Sequence, residues 1–209
     1  MGAKNMIIRA DKEKLLKEFK KKYVINRYIN EFKIIIEKYR KDRSIIKENL
    51  TSKFDLVCKE AIKLQEKELK GEIRYIYFSF LRTSLLESKG EWRIDLYDKK
   101  WFLDKEECSI NIDFDLVYEP LFNHMSELLE KKKEYRRNIN EVDIESIMLE
   151  EAGKYHYLVI NIIEDMIESF LACSSYKEMK KKENIIIQAG EYMDSTTRIY
   201  PRKMIKQVY

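Results

Sequence analysis

From Ala3 to Lys70 the chain contains neither glycine nor proline, and its apolar residues recur at spacings of three and four. Nothing in this stretch breaks a helix, and the period is that of an amphipathic one, so the first third of the molecule is predicted to be helical. The phase of the apolar residues then divides the stretch. At about 100° per residue, Leu15, Leu16, Phe19 and Tyr23 share one side. Ile25, Tyr28, Ile29, Phe32, Ile35, Ile36 and Tyr39 gather on nearly the opposite one. One straight helix cannot bury both stripes against one partner, which places a break or a change of partner near Tyr23 to Ile25.

The second stripe continues in phase through Ile46, Leu50, Phe54, Val57, Cys58, Ala61 and Leu64. An unbroken helix of this reach would be roughly 69 Å long, well beyond the usual globular helix. Arg43 and Lys47 fall on its apolar side, and Asp42 and Ser44 are residues that cap new helices. The expectation is therefore an interruption at residues 41–45.

After Gly71 the period changes to two. Ile76, Phe78 and Phe80 alternate with Tyr75, Tyr77 and Leu81, which predicts a strand covered on both faces. Trp92, Ile94 and Leu96 alternate with Arg93, Asp95 and Tyr97, and Cys108, Ile110, Ile112 and Phe114 with Ser109, Asn111 and Asp113. These are two half-buried strands of a meander, joined through Gly90 and the polar stretch at 104–107. Pro120 suits the first turn of a helix running to about residue 135, and an apolar stripe from Ile144 to Cys173 predicts another over about 142–173. Ile185-Ile186-Ile187 reads as a buried strand, and residues 198–200 as a last one. Strands flanked by helices without regular alternation predict an α+β fold. Its organisation would be a basic helical arm over 1–70 and a body over 71–209, whose mostly antiparallel sheet is packed by the helices from 120 and 142.

Charge follows the same division. Residues 1–70 hold 20 Lys/Arg against 11 Asp/Glu, residues 71–175 hold 13 against 22, and the remainder 8 against 4. A net +4 thus conceals segments of opposite sign, which either bind an acidic partner or neutralise each other within one fold. Lys38, Lys41, Lys59, Lys63, Lys67 and Lys70, with Arg27, lie opposite the second apolar stripe and would form a basic ridge. Glu37, Asp55 and Glu66 dilute it, and no helix-turn-helix or RNA-binding aromatic motif positions it on nucleic acid. A composition rich in Lys, Ile, Glu, Asn and Tyr also gives many lysines without any nucleic-acid role.

Motifs for chemistry are sparse. Neither GxxxxGK[ST] nor GxGxxG occurs, HExxH is missing, and His124 and His156 have no metal-spaced companions. No cofactor or metal is expected. Cys58, Cys108 and Cys173 are odd in number and far apart, which suits reduced, buried thiols. Glu164 and Glu168 sit one turn apart, a spacing better explained by a solvated or docked acidic face than by paired catalytic carboxylates. The sharpest small-molecule candidate is an anion pocket formed by Arg82, Arg93, Asp95 and His156. Met6-Ile7-Ile8 is too short for a leader's apolar core, and Leu158 to Ile163, interrupted by Asn161, is too short for a span.

These observations favour a non-enzymatic cytoplasmic interaction protein of adaptor, inhibitor or immunity type. Its partner, or a second copy, would be engaged through the helical arm, with no membrane contact. A nucleic-acid-associated protein using the basic arm is the second reading, and an enzyme with the anion pocket the third.

Overall fold

The computed structural model describes residues 2–201, with side chains over 11–201. Residues 202–209 of the expected body and the side chains of Met6, Ile7 and Ile8 lie outside the described residues. In chain order come α1 (Gly2–Tyr23), α2 (Arg27–Glu66), β1 (Ile73–Phe80), α3 (Arg82–Leu86), β2 (Glu91–Tyr97), a 3-10 turn (Trp101–Leu103) and β3 (Ser109–Asp113). They are followed by α4 (Asp115–Lys131), a second 3-10 turn (Lys132–Tyr135), α5 (Glu141–Ala172), α6 (Ser174–Glu178), β4 (Lys181–Glu191) and β5 (Thr196–Tyr200). The fold is α+β. No helix among the described residues is long and apolar enough to cross a membrane.

The predicted break near Tyr23 is present: α1 ends there, Asn26 takes a positive φ of 66°, and α2 begins at Arg27. The interruption expected at 41–45 is not. α2 runs unbroken for 40 residues, because Lys41-Asp42-Arg43-Ser44 contains no helix breaker and its misplaced charge has a partner. The Arg43 guanidinium donates to both oxygens of Asp165 in α5, at 2.8 and 2.9 Å, so a cation on the apolar side is neutralised without ending the helix.

The chain divides into two compact units, each assembled from two stretches. One takes the residues up to Lys41 with Leu116–Tyr155; the other takes Asp42–Asp115 with the residues from His156 onward. Residues 42–70 are thus grouped with the sheet rather than with the start of the chain.

The first unit is helical. Phe19, Ile35, Tyr118, Leu121, Leu128, Ile147 and Tyr155 are buried in it, with Phe19 edge-on to Tyr135 at 5.2 Å and Phe32 edge-on to Tyr155 at 5.1 Å. Arg27 pairs with Glu127 and Glu31, and His124 Nε2 meets the Tyr23 carbonyl at 2.9 Å. Pro120 is not at a helix start. It lies inside α4, which opens five residues earlier where Asp113 Oδ1 accepts the Asp115 amide, so a side-chain cap and not the proline sets the boundary.

The second unit holds a five-stranded sheet of order β3-β2-β1-β4-β5. It is mostly antiparallel, only β1 and β4 running parallel. One face carries Ile76, Phe78, Phe80, Trp92, Ile94 and Leu96, all buried. Phe78 stacks with Phe54 of α2 at 6.3 Å and with Phe170 of α5 at 5.5 Å, and those two rings stack on each other at 4.7 Å. Of the two helices expected to cover the sheet, the one from 142 does so through the later part of α5, and the one from 120 is replaced by α2. The covering pair is the later part of α2 with the later part of α5, while α4 beyond Asp115 is grouped with the other unit. The stripe over residues 50–64, expected on an arm, is the reason: it supplies the apolar surface this sheet face requires.

Candidate functional site

Of the four residues expected to form an anion pocket, the structure joins Arg93 to Asp95 directly and sets Arg82 within electrostatic reach of His156. Arg93 and Asp95 project from the same face of β2, and the guanidinium donates to Asp95 Oδ1 from Nε at 2.7 Å, with Nη2 at 2.6 Å. Arg82 pairs with Glu191. His156 lies on the opposite, helix-covered side, stacked on Phe80 at 3.5 Å and edge-on to Trp92 at 6.0 Å. Burial, aided by the Arg82 charge, pushes its pKa down to about 3, which suits a neutral packing ring. Both arginines already hold carboxylates, so the quartet does not form one anion site.

The basic ridge is also partly dismantled. Lys59 pairs with Asp55 at 2.8 Å, Lys63 with Glu60 at 3.2 Å and, in the first unit, Lys38 with Glu119 at 3.7 Å. Lys41 and Lys67 are exposed. Lys70 is not on a ridge at all. α2 ends at Glu66 and the chain turns through Glu68 with φ 58°, which carries Lys70 inward. Its side chain is 0% exposed, and Nζ donates to Asp104 Oδ2 at 2.6 Å and to the Glu106 carbonyl at 2.7 Å.

That buried pair anchors the connection between β2 and β3, and the connection shapes the side of the sheet away from the helices. Asp104 Oδ1 accepts the Glu106 amide at 3.2 Å, Asp98 Oδ1 accepts the Lys100 amide at 2.7 Å, and Asp98 Oδ2 accepts the Gly71 amide at 3.3 Å. Gly71 suits this close approach: a Cβ there would stand 3.1 Å from Asp98 Oδ2, and the carboxylate would have to give by a few tenths of an ångström. At the tip, Trp101 holds a left-handed backbone, φ 57°, a conformation costing a non-glycine residue about 1–2 kcal/mol. The tip lays Phe102 against Tyr77 and Tyr97, at 5.6 and 5.3 Å, and leaves Trp101 44% and Leu103 82% exposed.

Beneath the tip, Ser109, Asp95, Tyr77, Gln188 and Arg198 stand in register across all five strands, and so on one face. The Tyr77 hydroxyl accepts from Trp101 Nε1 at 2.9 Å and from Gln188 Nε2 at 3.1 Å, while Thr196 donates to Gln188 Oε1 at 2.6 Å. The Asp95 carboxyl is raised by burial against the opposing pull of Arg93. Its Oδ2 is buried with no hydrogen bond of ordinary geometry, although the nearby Tyr97 hydroxyl tempers the shift. Arg93 Nη2 also reaches Glu107 at 3.2 Å, and its guanidinium lies over Tyr192, 5.8 Å from the ring centre. Tyr192 belongs to the β4–β5 turn, which also exposes Met193. The turn closes tightly at Gly190, where a Cβ would stand 2.3 Å from the Ser195 carbonyl.

The result is a polar and aromatic sheet face with two loops beside it, presenting Trp101, Leu103 and Met193 to solvent. It offers aromatic stacking and apolar contact. Sequence reasoning passed over Trp101, Phe102, Leu103 and Tyr192. The available signal was Trp-Phe-Leu, three consecutive large apolar residues inside a connection, where polar residues are the rule. Comparison of the chain with protein-family models, with curated proteins and with solved structures finds no match.

Proposed function

We propose that this is a non-enzymatic protein-binding protein of adaptor, inhibitor or immunity type, acting in the cytoplasm, whose contact surface is the β2–β3 loop and the aromatic sheet face beside it. The observation that carries this reading is the loop itself. A fully buried ion pair, Lys70–Asp104, and a left-handed Trp101 are both energetically unfavourable ways to build a turn, and together they hold Leu103 and Trp101 in solvent. Tyr, Trp, Phe, Met and Arg, the residues gathered here, are those enriched where proteins meet. Three free, buried cysteines fit a reducing compartment. The contact is thereby moved from the helical arm to the sheet. The nucleic-acid reading loses support with the burial of Lys70, and the small-molecule reading with the pairing of Arg82 and Arg93.

The test is a photo-crosslinking residue placed at Leu103 or, as a control, at the exposed Ser52 of α2, in cells of the protein's source. A discrete adduct is expected from position 103 alone, lost when Trp101→Ala is added. Indistinguishable adducts from both positions, or none from 103, would reject the surface.

A further inference from the structure

The loop tip has a charge pattern as well as an apolar one. Lys99 and Lys100 precede Trp101, Lys105 follows Asp104, and all three lysines are exposed. Two of the acids among them are withdrawn, Asp104 on Lys70 and Asp98 on backbone amides. Glu106 and the exposed Glu107 follow Lys105, with Glu107 lying 3.2 Å from Arg93. What solvent meets at the tip is an apolar point, Leu103 and Trp101, flanked in the chain by three exposed lysines. At the base of the loop opens a cleft of about 440 Å³, lined by Lys99, Lys100 and Lys180 together with Glu68 and Glu72. Glu72 pairs with Lys182 at the cleft's edge.

We infer that the partner presents an acidic segment carrying a large apolar side chain: the apolar group packs against Leu103 and Trp101, and flanking carboxylates meet Lys99, Lys100 and Lys105 and enter the cleft toward Lys180. This inference rests on the protein-binding reading above and adds the chemistry of the partner to it. The physical reason is complementarity. Rim charges of one sign around an apolar anchor favour encounter with the opposite sign and penalise like-charged partners, and a desolvated aromatic and leucine at the centre supply the burial.

The molecule carries its own reporter. It has two tryptophans, of which Trp92 is fully buried in the core and Trp101 stands at the tip. Intrinsic fluorescence of the full chain is titrated with an eight-residue peptide alternating Glu or Asp with Leu and Phe. Parallel titrations use the same peptide with Lys in place of its acids, and vesicles of phosphatidylserine in phosphatidylcholine. The expected result is a saturable blue shift with the acidic peptide alone. It disappears in Trp101→Phe, and its affinity falls about tenfold or more in Lys99→Glu/Lys100→Glu/Lys105→Glu or on raising salt. An unchanged thermal melt of the triple variant excludes misfolding as the cause. An equal shift with the lysine peptide, or a shift with vesicles in place of the acidic peptide, overturns the inference. No shift with the acidic peptide while position 103 still crosslinks a protein refutes the acidic partner alone. No shift and no crosslink refutes the binding surface with it.

Discussion

The two faces of the same sheet are made from the same strands and do opposite things. The helix-covered face packs Phe78 against the mutually stacked Phe54 and Phe170 and buries Trp92, Ile94 and Leu96, side chains that are almost wholly apolar. The other face, one residue out of step on every strand, carries Asp95, Tyr77, Gln188 and Arg198 in a hydrogen-bonded and partly unsatisfied row. Strand alternation makes this possible, since neighbouring residues see different surroundings. One face holds the unit together by apolar burial, and the other uses that stability to support polar groups and an exposed tip. The comparison predicts that substitutions one residue apart separate stability from binding.

The largest effect is expected on the covered face. Phe78→Ala removes a ring with no exposure from a three-ring stack, and a loss of about 4 kcal/mol follows from the deleted burial and the cavity left behind. Chemical denaturation measures it directly. A loss below about 1 kcal/mol would mean the stack is not the core of this unit.

Next comes the anchor of the open face. Lys70→Met leaves Asp104 buried without its cation, at a cost of about 3 kcal/mol, toward the low end for broken buried pairs because the Asp98 and Glu106 amides still donate to that carboxylate. The double variant Lys70→Met/Asp104→Leu removes both charges and should recover much of the loss while slackening the loop. A double variant as unstable as the single one would show that the pair does more than neutralise itself.

Much of the first comparison was legible in advance, and much of the second was not. The alternation of Ile76, Phe78 and Phe80 with Tyr75 and Tyr77 predicts a strand covered on both faces, and Tyr77 is buried, beside Trp101 and Phe102; the change of stripe near Tyr23 predicts a break that is there. Those signals are local and periodic. The continuity of α2 was misjudged because the partner that neutralises Arg43 is Asp165, 122 residues away. Lys70 looked like a ridge residue because helical phase was extended four residues past the end of the helix at Glu66. Arg93 and Asp95 were correctly placed as neighbours by their parity, but parity also puts His156's neighbours, Phe80 and Trp92, on the other side, and only the fold says which helix meets them. The tip at Trp101 was missed because a turn's value as a surface depends on a buried cation supplied from a different segment.

A third, smaller effect uses protons to distinguish the faces. His156, on the covered face, has a pKa of about 3 against an ordinary 6.5, so below about pH 6.5 the unfolded chain binds a proton that the folded chain refuses. Stability tied to this residue is therefore complete above pH 6.5 and lost as pH falls toward 3, by at most about 2 kcal/mol on reaching about pH 5. Asp95, on the open face, has the opposite sign. Its raised carboxyl binds its proton more readily when folded, so it favours the folded state as pH falls through the ordinary carboxylate range. His156→Phe should flatten the decline between neutral pH and about pH 5, whereas Asp95→Asn, which removes a group that favours the folded state on acidification, should not flatten it. The reverse pattern would place the acid-sensitive group on the wrong face.

The smallest effect on stability is expected where the largest effect on binding lies. Leu103 is 82% exposed, so Leu103→Ser removes almost no buried surface and should change unfolding free energy by no more than about 0.5 kcal/mol. Leu96, the same residue type on the covered face and fully buried, should lose about 3 kcal/mol or more on truncation to Ala. If Leu103 serves only the fold, its replacement should move stability and leave the Trp101 fluorescence response to the acidic peptide intact. If it is the apolar anchor of a partner, the melt stays put and the response vanishes. Measuring both quantities on one preparation of Leu103→Ser tests whether an exposed leucine, held out by a buried lysine, is there for something outside the chain.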